Sequence, residues 1–237
     1  MALCQARFAL HYLKDGSFMQ LPFRLFPRLL HPGILGVVVL AASVLPASAT
    51  QIVDPANDFL ASFTGTRNLD LDVLTAEVFY DGTNFRFTST ENGAIGTTAN
   101  ALFVWGVNRG SNAAPFGAFR PGVLFDAVVI LRPDGTGTVV DTTNAVPPAN
   151  LAAGSVTISG NSISGLVPAT LLASLGFTPA QYQVNLWPRT GLGDNAQIAD
   201  FAPDNSDAAV TVTPEPSTLL TLGSALSLLV IAGRRRK

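Results

Sequence analysis

The chain has 237 residues and a formal net charge of −2, but residues 50–213 carry six Arg, no Lys, 12 Asp and two Glu, a local net charge of −8. So acidic a stretch repels phosphate backbones, which argues against nucleic acid as a partner. Cys4, His11 and His31 all precede residue 50, so the rest of the chain lacks the residues for Ser-His-Asp or Cys-His catalysis and for zinc held by His or Cys.

The first element reads as a secretory signal over residues 1–49. Arg24 and Arg28 precede the apolar run Ile34–Leu45, and Pro46-Ala47-Ser48-Ala49 follows it. A basic region, a short apolar region and an Ala-x-Ala site in that order predict export, with Ala47 and Ala49 marking a cut after Ala49. The run falls short of the roughly 20 apolar residues of a membrane anchor. Residues 1–18 lengthen the basic region and include Asp15, whereas Met19 opens a tidier signal. Translation from Met1 and from Met19 both stay open. The implied partners are the secretion translocon and signal peptidase, and the absence of Cys after the cut suits an exported chain without disulfides.

Residues 50–212 follow a period of two. Val73–Tyr80 and Phe85–Thr90 read as strands joined by the turn Asp81-Gly82-Thr83-Asn84. Ala101–Val107 is almost wholly apolar, as in a strand covered on both faces. Val123–Arg132 and Gly137–Asp141 flank Pro133-Asp134-Gly135-Thr136, and Ser155–Ser159 and Ser162–Val167 flank Gly160-Asn161. Gln181–Trp187 and Ala209–Val212 supply two more strands. Pro168, the run Ala169–Leu175 and Gly176 predict one short helix. About nine short strands with Gly, Pro and Asp turns predict an all-β fold, an antiparallel β-sandwich.

The last segment, residues 213–237, contains Pro214-Glu215-Pro216, an apolar stretch that reads as a membrane-crossing helix over about 218–233, and the basic run Arg234-Arg235-Arg236-Lys237. The prolines keep the tripeptide out of the helix, and the cations hold the tail on the cytoplasmic side. This order of parts resembles the PEP-CTERM sorting signal. The resemblance implies recognition by an exosortase near Pro214, Glu215 and Pro216. It also implies an inner-membrane intermediate, then the envelope or extracellular matrix of a Gram-negative bacterium that makes exopolysaccharide. Whether the processed product is held or released stays open.

Two acidic groups stand out as candidate sites. Asp54 and Asp58 open the domain, and Asp70 and Asp72, at alternate spacing, share one side of an extended segment. Four such carboxylates suit calcium, which takes six to eight oxygen ligands; the competing reading is ordinary turn chemistry. Downstream, Trp187, Arg189, Asp200 and Asp204 form a candidate ligand site. Trp187 sits at a strand end, where it either fills the core or stacks on a sugar, and Arg189 pairs with Asp200 or Asp204 if the loop is structural instead. Trp105 is assigned to the core. Asp-Pro-x-x-Asp, Leu-Asp-Leu-Asp-Val and the Tyr-Asp-Gly hairpin resemble DOMON-like sandwiches and family 9 carbohydrate-binding modules, which implies a calcium ion and a sugar ligand. The expectation is a non-catalytic envelope or matrix protein that binds exopolysaccharide. The alternative is a hydrolase that uses paired carboxylates on that polymer. Gly160-Asn161-Ser162-Ile163-Ser164 departs from a nucleophile elbow, and no Gly-rich phosphate loop occurs.

Overall fold

The computed structural model describes residues 51–143 and 145–212. The expected signal segment with Ala47 and Ala49, the Pro214–Glu215–Pro216 motif, the helix expected over 218–233 and the basic tail Arg234–Lys237 lie outside the described residues.

Alternating burial builds the hairpin at the centre of the first sheet. Strand β2 (Val73–Tyr80) pairs antiparallel with β3 (Asn84–Glu91). Between them Asp81 Oδ1 accepts hydrogen bonds from the Thr83 and Asn84 N–H groups at 2.8 and 2.7 Å. Gly82 holds φ at +95°, which only glycine adopts without strain. In β3, Phe85, Phe87, Ser89 and Glu91 point inward and are buried.

Among the described residues twelve strands form two sheets. In the first, β1 (Ile52–Val53), β2, β3, β9 (Ser162–Pro168) and β8 (Val156–Ser159) lie in that order. Strand β12 (Thr211–Val212) runs parallel to β2, the one parallel pairing among the described residues. Because β3 occupies one edge of β2, β1 and β12 share the other, at Thr75–Ala76 and Phe79–Tyr80. The second sheet has the order β11 (Ala208–Ala209), β10 (Gln183–Arg189), β4 (Leu102–Asn108), β5 (Ala127–Leu131), β6 (Gly137–Asp141) and β7 (Ala149–Asn150).

The sheets face each other across a core. Phe87 of β3 meets Trp105 of β4 edge-on at 5.4 Å between ring centres. Leu131 of β5 fills the space beside Gly165 of β9, where a Cβ would lie 2.5 Å from it. Each large side chain buried this way contributes about 1.5–3 kcal/mol. The second sheet is also covered on its outer face. There Trp187 packs against Phe116, Phe125 and Phe201 at 5.1, 4.9 and 5.9 Å, which explains why β4 is buried on both sides.

Three expectations change. The expected helix Ala169–Leu175 is a single 3-10 turn, Ala169–Leu171. Tertiary partners take the groups a helix needs: Arg109 Nη1 donates to the Ala173 carbonyl, and the Arg109 carbonyl accepts from Leu175 and Phe177. The strand expected from Val123 starts at Ala127, because Leu124 and Asp126 turn to partners elsewhere. The expected strand Ala209–Val212 is two short ones, β11 and β12, which pair with different sheets. Among the described residues no helix is long and apolar enough to cross a membrane.

Candidate functional site

The edge of β2 that carries β1 also gathers acid. Asp54 follows β1, and its N–H donates to the Leu74 carbonyl at 3.0 Å, which extends the ladder by one rung. The chain then turns at Asn57, whose φ is +66° and whose N–H donates to the Asp72 carboxylate at 2.9 Å. That turn brings Asp58 back toward Asp54. Asp200 arrives from the far end of the domain. Its neighbours are pinned: Ala199 N–H bonds to the Pro188 carbonyl, Leu60 N–H to the Ala199 carbonyl, and Ala202 N–H to the Leu186 carbonyl. Asp200 Oδ2 accepts from Val73 N–H at 3.0 Å and Oδ1 from Phe201 N–H at 2.7 Å.

Asp54, Asp58 and Asp200 therefore converge, with one oxygen from each within 4.8 Å of the others. Asp54 is 8% exposed and Asp200 1%. Burial, then the charges of Asp200, Asp58 and Asp204, pushes the Asp54 carboxyl up to about 8. Burial raises Asp200 to about 7 against the Val73 N–H, with Asp58 and Asp72 adding to the rise. Asp58 is raised too, first by burial and then by Asp204 and Asp72. Fully buried Glu91 stands well above its ordinary value, again chiefly through burial, with Asp200 and Asp72 adding.

The expected set of four aspartates is split. Leu69–Leu71 is a 3-10 turn and not an extended segment, so Asp70 and Asp72 take separate partners. Asp70 accepts from the Thr98 N–H and Oγ1–H at 2.8 and 2.5 Å. Asp72 accepts from Asn57 N–H and from Asn92 Nδ2 at 2.8 Å. Both act as clamps on loops, while Asp54 and Asp58 join Asp200 instead.

The second expected set does not form an open site. Trp187 is 2% exposed and presents no ring face for a sugar. Arg189 forms no ion pair with Asp200 or Asp204. Its Nε donates to the Gly191 carbonyl and its Nη2 to the Asp194 carbonyl, which closes the 190–194 loop. Exposed Asp204 acts on Asp54 and Asp58 only through its charge. The ion pairs among the described residues belong to Arg109, with Asp126 at 2.6 Å and Asp141 at 3.3 Å, a network that no sequence motif announces. An open trough of about 370 Å³ lies elsewhere, lined by Asn100, Arg132, Asp134 and Thr190 together with Leu102 and Pro133.

No protein-family model and no curated protein matches this sequence.

Proposed function

We propose that the chain is an exported, non-catalytic protein of the cell envelope or extracellular matrix, sorted through its C-terminal segment and associated with exopolysaccharide. The observation that carries this reading is the pairing of two sorting segments around one folded domain. A signal-type run ends at Ala47-Ser48-Ala49, and Pro214-Glu215-Pro216 leads into an apolar stretch and four cations. The signal peptidase and an exosortase are the processing partners, with the inner membrane as an intermediate station. A two-sheet domain sealed on both faces of its second sheet suits cargo that must persist outside the cell. The open trough that holds Arg132 and Asn100 beside Leu102 and Pro133 offers both polar groups and apolar surface to a glycan.

The alternative of a carboxylate-dependent hydrolase draws on Asp54 and Asp200, whose raised carboxyls are typical of acid–base residues. At 8% and 1% exposure neither is reached by a sugar ring, which favours the non-catalytic reading.

The test expresses the full chain in an exosortase-bearing host beside a variant with Pro214, Glu215 and Pro216 all replaced by Ala. Fractionation and intact mass are the readouts. The wild type is expected to lose residues beyond the motif and to sediment with the envelope or its polysaccharide. The variant is expected to stay uncut in the inner membrane. Equal masses and equal distribution overturn the proposal.

A further inference from the structure

We propose that Asp54, Asp58 and Asp200 form a binding site for a hard divalent cation, calcium in an extracellular setting, that ties the start of the domain to the segment around residue 200. The site lies in the folded domain, so it stands or falls separately from the sorting signals.

Geometry comes first. Oxygens bound to calcium at 2.3–2.6 Å lie at most about 5.2 Å apart, on opposite sides of the ion. The three carboxylates place an oxygen each within 4.8 Å of one another, inside that ceiling. All the donors are carboxylate oxygens, with no nitrogen or sulfur, which selects a hard cation over zinc or copper.

Unmet bonding capacity is the independent observation. Asp54 Oδ2 and Asp58 Oδ1 are sealed from solvent and have no hydrogen-bond partner, although the Asp54 side chain is more than nine-tenths buried. Buried carboxylate oxygens are costly to leave without a partner. Fully buried Glu91, whose carboxyl feels the charge of Asp200, also leaves both oxygens without one. Asp70 and Asp72, a dozen or more positions further along the chain, show the contrast: N–H and O–H donors occupy their carboxylates. Among the three that converge the deficit falls on Asp54 and Asp58, while each Asp200 oxygen accepts one backbone N–H.

Charge points the same way. The charges that act most strongly on Asp54, Asp58 and Asp200 are other carboxylates, Asp72 and Asp204 among them. Arg189, close in sequence to Asp200, is committed to the carbonyls of Gly191 and Asp194. A divalent ion supplies the missing counter-charge and the missing bonds together. Because Asp54 and Asp58 precede β2 and Asp200 follows β10, the ion cross-links segments far apart in sequence and binds the folded chain alone.

The experiment uses the full chain in mild detergent, stripped by chelator and titrated with calcium by calorimetry, with melting temperature recorded in parallel. One ion per chain is expected, with a rise in Tm of about 5–10 °C at calcium 100-fold above Kd. Asp54→Asn combined with Asp200→Asn is expected to abolish both effects, while melting in chelator at no lower a temperature than wild type, since two buried charges are gone. Asp134→Asn, on an exposed turn, is expected to keep both. Absence of calcium binding by the stripped wild type overturns the site. So does binding that survives in the double variant.

Discussion

Arg109 Nε donates to Asp126 Oδ1 at 2.6 Å, with side-chain exposures of 1% and 0%. The pair is a hub. Asp126 also accepts from the backbone N–H groups of Arg109 and Ser111, and the guanidinium reaches the Ala173 and Asp126 carbonyls. It therefore holds the 109–126 loop and the 169–177 segment to the second sheet. Removing one partner of a buried pair costs about 3–5 kcal/mol; here Asp141, at 3.3 Å, would be left as the guanidinium's ion-pair partner. Asp126→Ala is expected to lower unfolding free energy by that amount in urea titration. A loss under 1 kcal/mol would mean that water or a shifted loop replaces the carboxylate.

Gly106 and Trp187 meet on the outer face of the second sheet. A Cβ at residue 106 would sit 2.5 Å from the Trp187 ring, and overpacking of this kind costs about 1–3 kcal/mol. Gly106→Ala is expected to show that loss. The same burial predicts that Trp105 and Trp187 fluoresce at short wavelength and resist iodide quenching. Strong quenching would place Trp187 back at the surface as a sugar platform.

Asp70 separates the two possible metal sets. With its carboxylate gone, the buried Thr98 N–H has no acceptor, and a buried unmet donor costs about 1–3 kcal/mol. Asp70→Ala is expected to lose that much stability in urea yet keep its calcium-induced rise in Tm. Loss of the calcium response would restore Asp70 to the ligand set.

Asp207 gives a pH dependence. Burial pushes its carboxyl up to about 7 against the Leu124 N–H that it accepts; an unperturbed Asp titrates near 3.8. Between those values the folded chain keeps a proton that the unfolded chain has released. Stability therefore falls as pH rises from about 4 to 7. Asp54, Asp200 and Glu91 bend the curve the same way, so the difference between wild type and Asp207→Asn isolates this group. Melting curves in chelator are expected to show a shallower decline for the variant across that window. Parallel curves would sink the assignment.

Much of the sheet structure is legible locally. Val73–Tyr80 and Gly137–Asp141 have the bounds that their alternation predicts, and the Asp81-Gly82 turn follows from a carboxylate two residues before the N–H it caps. The apolar run at Ala101–Val107 correctly signals a strand covered twice. Local pattern fails where a distant group competes for the backbone. Ala169–Leu175 has helical residues, but Arg109 engages the carbonyl and N–H groups that would close the helix.

The sequence by itself determined the alternation that makes strands, the turns that join them and the acidity of residues 50–213, because each depends on neighbours a few positions apart. It also carries the segments read as export and sorting signals. Only the tertiary structure decided that Trp187 lies under Phe116 and Phe125, that Arg189 closes a loop, and that Asp200 joins Asp54 and Asp58 while Asp70 and Asp72 turn away. Spacing along the chain says which side chains share a strand face, but it cannot say which distant strand lies beside them. Buried carboxylates are brought together by that long-range pairing, at the edge of β2 that β1 and β12 share.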